Sequence, residues 1–400
     1  MLCKDDNMIG QRRNTAGYFF ALSIIGLVTA WIFNSLAVLR NENYLADGFT
    51  SNVDWVYSLD LLIGGTAGMG FIIIEGRRLK MKFLWAYIAA AFVTAFAFVF
   101  PLFLAMRELR LAKIELAGGK LKRYNFDDHP VIVWVPADVD ATTPVLVMHD
   151  GHNLFDPKTS TFGATWGLLD ALRDRKPGGA RIRGDRKPLI IGVTYKGGNG
   201  VIRGVEYGPT DIWSKRPELM NLMPSEWART GANGNEYHEL IAHKILPTIA
   251  AEFGVELARD RTAMGGSSMG ALTSLYGLSK HPDVYGTALA YSTHWPIGGN
   301  DLVDEYIKIL PAPGQHRIWS DGGTIELDAL YAPYQKYFQQ QMQAKGYRFG
   351  EDYIEASYPN TGHSELWWAG RVEHPINWWL DPNEPKSTPE NPGWVGKAQD

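Results

Sequence analysis

The sequence predicts an α/β fold with a mostly parallel sheet, preceded by three membrane-spanning helices. Three observations predict it. Three long apolar runs occupy the first 106 residues. From about residue 120, short β-rich runs alternate with helical segments, the pattern of a parallel sheet covered on both faces. Within that alternation, Gly266-Ser267-Ser268-Met269-Gly270 fits Gly-x-Ser-x-Gly, a sharp strand-to-helix turn that presents a nucleophilic serine.

The apolar runs come first in the chain. Tyr18 to Leu39 and Phe83 to Met106 contain no charged residue, and Val53 to Ile74 contains only Asp54 and Asp60. Each is long enough for a bilayer-crossing helix, which needs about 20 residues. The expected spans are 18–39, 53–75 and 83–106, inside a membrane domain over 1–108. One such run could be a buried core helix; three in succession with charged punctuation read as spans. A cleaved signal peptide fits poorly, because the first run is too long for an h-region and two more follow.

Flanking charge orients the spans. Lys4, Arg12 and Arg13 precede the first, and Arg77, Arg78, Lys80 and Lys82 lie between the second and third. The positive-inside rule puts both segments in the cytoplasm, and hence the carboxyl-terminal domain outside the inner membrane. Arg107, Arg110, Lys113, Lys120, Lys122 and Arg123 then lie on the outer side, against that rule, which large translocated domains override. Asp60 lies about one turn inside the second span, where an acid is either functional or reaches water at the interface. Membrane lipids are expected partners.

Net charge is −4, so no global basic field calls for nucleic acid. The single cysteine, Cys3, excludes an intramolecular disulfide, a cysteine zinc site and an iron–sulfur centre. No cofactor and no metal is expected.

The second domain is expected over 109–383, with a disordered tail at 384–400. Residues 107–125 suit a charged connector. Strands are expected at 131–135, 145–148, 189–195, 262–265, 287–291, 317–320 and 353–358. Helices are expected at 166–175, 236–253, 269–280, 329–345 and 365–380. Between them, 196–235 is a long connection containing Gly, Pro and Trp: a lid, or an excursion with its own short helices.

The serine turn needs small residues two before and two after the nucleophile, because the elbow crowds its backbone. Gly266 and Gly270 meet that demand for Ser268; the frame centred on Ser267 fails at Met269. A serine hydroxyl also needs a base and a set of N–H donors for the oxyanion. The Met269 N–H opens the following helix and is one donor. The second is expected after an earlier strand, in His149-Asp150-Gly151-His152-Asn153, from the backbone of Gly151 or His152. The base must follow the serine. Among His281, His294, His316, His363 and His374, only His363 follows the last expected strand in a Gly-containing loop. His294 follows a strand and could line the pocket. Asp321, Glu326 and Asp328 all qualify as the acid, and spacing does not choose. Trp166, Trp213, Trp227, Trp295, Trp367 and Trp368 are candidate pocket walls or core.

With these motifs in place, residues 120–380 resemble the esterase family of α/β-hydrolases. That family includes enterochelin-type siderophore esterases, feruloyl and acetylxylan esterases, S-formylglutathione hydrolases and mycolyltransferases. The resemblance rests on residues 149–156 (HDGHNLFD), 265–270, 360–363 and Arg203-Gly204-Val205-Glu206-Tyr207. It implies an α/β-hydrolase fold and favours Asp328 as the acid, through a pattern Asp-x-Gly-Thr-x-x-Leu-Asp; likeness to the formylglutathione hydrolases would favour Glu326. His152 stands where glutamine is common, and Ala271 where a further glycine is common. The membrane part resembles a small domain of unknown function. The implied protein is a membrane-anchored serine esterase acting on a small-molecule, lipid or sugar ester. An acyltransferase of the same fold is the alternative, and a non-catalytic receptor the alternative of another class.

Overall fold

A computed structural model of the chain describes residues 7–173, 182, 187–198, 200–220 and 224–381. The expected tail at 384–400 lies outside the described residues. The chain divides into two units, Met1–Leu116 and Ala117–Asp400.

In the first unit, the opening apolar runs become helices Asn7–Leu39 and Asn52–Arg78. Both contain stretches long and apolar enough to cross a membrane. Ser51 starts the second with a capping box. Its hydroxyl accepts the Asp54 N–H, and the Asp54 carboxylate accepts the Ser51 N–H. The third run departs from the expectation of one span over 83–106. It is two helices, Leu84–Val93 and Phe96–Glu115. The break is local: the Thr94 hydroxyl bonds back to the Ala90 carbonyl at 2.7 Å, and Ala95 is extended at φ −168°. Pro101 inside the second piece cannot donate to the Ala97 carbonyl. Glu75 and Glu108 bind Arg12, Arg78 and Arg107 in a network that ties the helices together. A cavity of about 780 Å³ lies within this unit, with Lys80, Lys82, Arg110 and Lys113 among its lining residues.

The second unit is built on one eight-stranded sheet. Its strands are β1 Lys120–Phe126, β2 His129–Val135, β3 Val145–His149, β4 Leu189–Val193, β5 Thr262–Ser267, β6 Thr287–Tyr291, β7 Arg317–Gly323 and β8 Tyr353–Tyr358. Their order is β1-β2-β4-β3-β5-β6-β7-β8. β2 runs antiparallel to both neighbours, and every pair from β4 to β8 is parallel. This is the arrangement of an α/β-hydrolase sheet. β1 falls where a connector was expected. Its basic, alternately exposed residues suit an edge strand, where charge discourages further pairing.

Strand periodicity divides the core in two. Val131, Val133 and Val135 of β2 enter one cluster with Leu272, Leu275 and Ile249. Ile132 and Trp134 enter the other with Leu168, Ile376 and Trp378. The helix expected at 236–253 runs from Gly234 to Phe253, but it widens to a π turn at Ile241–Ile245, where the Leu246 N–H reaches the Ile241 carbonyl. Pro247 supplies the cause: it cannot donate to the carbonyl four residues back, and its ring crowds it. The 196–235 connection is an excursion with short helices, among them Gly200–Glu206 and Thr210–Lys215.

Candidate active site

Ser268 stands between β5 and the helix Met269–Lys280, with φ +59° and ψ −121°. A non-glycine residue there is strained, and such strain persists only where the surroundings over-determine it. Two bonds hold the turn: the Ser268 N–H donates to the Tyr291 carbonyl at 3.0 Å, and the Ser268 carbonyl accepts the His294 N–H at 3.4 Å. A Cβ on Gly266 would lie 2.9 Å from the Gly270 carbonyl oxygen, which accounts for the small residue there. The Met269 N–H, at the first helical position, has no partner within its own helix and sits at the positive end of the dipole.

The loop after β3 is pinned from below. Asp150 is left-handed, at φ +53°. Its carboxylate takes two bonds of 2.7 Å from the Arg203 guanidinium and one from the Tyr207 hydroxyl at 3.2 Å. Burial opposes that charge, but Arg203 outweighs it and holds the carboxyl below its ordinary range. The excursion after β4 thus fixes the loop after β3. Gly151 packs against β4 so closely that a Cβ would sit 2.4 Å from the Gly192 carbonyl. His152 bonds Thr161 through Nε2 at 3.0 Å, and burial pushes its imidazole down toward the neutral form.

The three candidate acids separate into three environments. Asp328 Oδ1 lies 2.6 Å from His363 Nδ1. Its Oδ2 accepts from the Ser292 hydroxyl at 2.6 Å and the Gly323 N–H at 2.7 Å. Burial raises the Asp328 carboxyl, but the bonds from His363 and Ser292 prevail and hold it below the usual range. Glu326 instead accepts the backbone N–H of His363 at 3.1 Å. Asp321 is buried beneath, paired with Arg371 at 3.0 Å and bonded by the Trp319 indole at 3.0 Å. Arg371 also donates to Ser292 at 2.7 Å and Thr361 at 3.0 Å, bracing the floor of the site. Replacing Arg371 with methionine strands the Asp321 charge. The expected result, read by urea unfolding, is a loss of about 3–5 kcal/mol.

Two further buried residues have no signature in the sequence. The Tyr331 hydroxyl bonds His294 Nδ1 and also reaches the Ser268 side chain. Its ring meets His363 edge-on at 5.4 Å. Burial pushes Tyr331 up and His294 down, to about 4 for the histidine. A tyrosine at a helix start reads as core, so only the fold exposes its position. Glu365 is the other: buried, it accepts from Asn153 at 2.8 Å, and desolvation pushes its carboxyl up. Among the candidate walls, Trp166, Trp213, Trp295 and Trp368 are buried core, and Trp367 is half-buried. The Trp227 side chain lies outside the described residues. His281, His316 and His374 are on other contacts; His374 Nδ1 bonds the Tyr358 hydroxyl at 2.8 Å.

Comparison with known proteins follows the same division. Residues 219–373 match the family described as "Putative esterase". Residues 18–109 match "Protein of unknown function DUF2834". No curated protein matches the chain. Among solved structures, similar ones include an enterobactin hydrolase, at 16% identity over 66% of this chain and 95% of that one, with a TM-score of 0.47. An enterobactin esterase from Shigella flexneri aligns at 17% identity over 66% of this chain and 59% of its own length, with a TM-score of 0.45. A ferulic acid esterase aligns at 15% identity over 66% and 97%, with a TM-score of 0.44. At these scores the fold rests on the sheet topology itself. The family match over residues 219–373, joined to that topology and its serine elbow, supports a carboxylic ester hydrolase of the α/β-hydrolase type.

Proposed function

We propose that the chain is a membrane-anchored serine esterase whose triad is Ser268, His363 and Asp328. The observation that carries this is the 2.6 Å bond between His363 Nδ1 and Asp328 Oδ1. It leaves Nε2 of the same ring to take a proton. In the reaction, the Ser268 hydroxyl gives its proton to His363 Nε2 as Oγ attacks the ester carbonyl. Asp328 stabilises the imidazolium that forms. The Met269 N–H and the backbone at Gly151 and His152 receive the oxyanion. His363 protonates the departing alcohol, leaving an acyl-serine, and then activates the water that hydrolyses it. No cofactor enters these steps.

The membrane part of the reading is supported by two helices of sufficient length and apolarity. The broken pair Leu84–Val93 and Phe96–Glu115 would form the third crossing. The basic residues before the first apolar run and between the second and third favour a cytoplasmic amino end and an outward-facing hydrolase in the inner membrane. Small-molecule esters are the substrate class.

A fluorophosphonate probe is expected to label Ser268 in membranes that resist carbonate extraction. Lack of labelling in folded protein would return the non-catalytic receptor reading. Incubation of an acyl ester with alcohol acceptors, followed by mass spectrometry, is expected to yield free acid; an acyl-acceptor product would mean transfer instead.

A further inference from the structure

Glu239, His243 and His281 gather at the carboxyl-terminal end of the helix that Ser268 opens. Glu239 and His243 lie one turn apart, where the chain passes into the π turn Ile241–Ile245. His281 is the C-cap of Met269–Lys280. Glu239 Oε2 is 3.3 Å from His243 Nε2, and Oε1 is 3.8 Å from His281 Nε2. The two imidazoles meet edge-on at 5.3 Å. Donor atoms from all three residues fall within 4.8 Å of one another. Around a tetrahedral zinc with bonds of about 2.0–2.1 Å, neighbouring ligand atoms stand about 3.4 Å apart. The trio therefore needs only small side-chain shifts to close on an ion.

A second observation points the same way. The His281 side chain is only 8% exposed, and its Nε2 has no hydrogen-bond partner. An unsatisfied buried nitrogen is costly. Here it faces a carboxylate at a distance too long for a hydrogen bond, and a shared cation would satisfy both. Glu239 and His243 are open to solvent, so an ion can enter and keep water in its fourth position. The end of a helix carries partial negative charge, which favours a cation. Lys280, the nearest cation in sequence, is held by Asp211 at 2.9 Å.

We propose that Glu239, His243 and His281 form a divalent transition-metal site that clamps the π-turn helix to the end of the nucleophile helix. Two imidazoles and one carboxylate suit Zn²⁺, with Co²⁺ as its spectroscopic substitute, rather than Mg²⁺ or Ca²⁺. The site is structural or regulatory, and no step of ester hydrolysis runs through it.

The test uses the full chain in detergent, stripped with a chelator and titrated with Zn²⁺, Co²⁺ and Mg²⁺. Expected are one Zn²⁺ per chain, a tetrahedral Co²⁺ absorption band, a raised Tm with Zn²⁺, and no response to Mg²⁺. His243→Ala changes an exposed residue and should fold. It is expected to weaken Zn²⁺ binding by more than the ~10–100-fold that loss of a supporting partner costs, while ester hydrolysis continues. Glu239→Gln should act alike. Absence of stoichiometric Zn²⁺ binding, or unchanged affinity in both variants, overturns the proposal.

Discussion

Ser268→Ala is expected to lower kcat for a chromogenic acyl ester by roughly 10⁴–10⁶, leaving the residual rate that binding and oxyanion donors supply. The variant should fold, because alanine keeps the Cβ and the Ser268 N–H bond to Tyr291 is main-chain. Near-native Tm with lost turnover is therefore the expected pair of readings. Ser267→Ala is the matched control. Ser267 is the buried last residue of β5, with its backbone paired to Tyr291 in β6. Turnover that survives Ser268→Ala and disappears with Ser267→Ala would overturn the assignment of the nucleophile.

Asp328→Asn is expected to reduce kcat by about 10⁴. An amide can hold His363 only by offering the wrong donor or the wrong tautomer, and it cannot stabilise the imidazolium. Glu326→Gln should cost less than about tenfold, because the amide oxygen can still accept the His363 N–H. Steady-state kinetics on the two variants separates them; the reverse order of losses would make Glu326 the acid. The Asp328 carboxyl also has a signature in stability. Its folded pKa lies below the unfolded value, so its contribution is present above the unfolded pKa. It is lost as pH falls through the folded one. Asp328→Asn should therefore flatten part of the acid limb of a Tm-against-pH curve.

The strand-to-helix turn was legible in the sequence because its demands are local. Gly266, Ser268 and Gly270 answer to the crowding of a single elbow, and the flanking β-rich and helical runs lie next to it in the chain. Most strands were legible for the same reason, since apolar runs such as Leu189–Val193 need no knowledge of their partners. β1 was not, because an edge strand carries the charge of a connector. The third apolar run misled in a different way. Hydropathy measures transfer into lipid, whereas the break at Thr94 and Ala95 is a matter of hydrogen-bond continuity.

What the sequence determined alone was the class of chemistry, the serine that the elbow presents, and apolar runs long enough to cross a membrane. Each depends on neighbours within a few residues or on composition over a window. Which carboxylate meets the His363 ring was decided only in three dimensions. Glu326 and Asp328 are two residues apart in a 3-10 turn, and the turn directs one to the ring and the other to the main chain. The same holds for Tyr331 beside Ser268 and for Glu239 beside His281. Their side chains come from segments far apart in sequence, and only the packing of helices on the sheet brings them together.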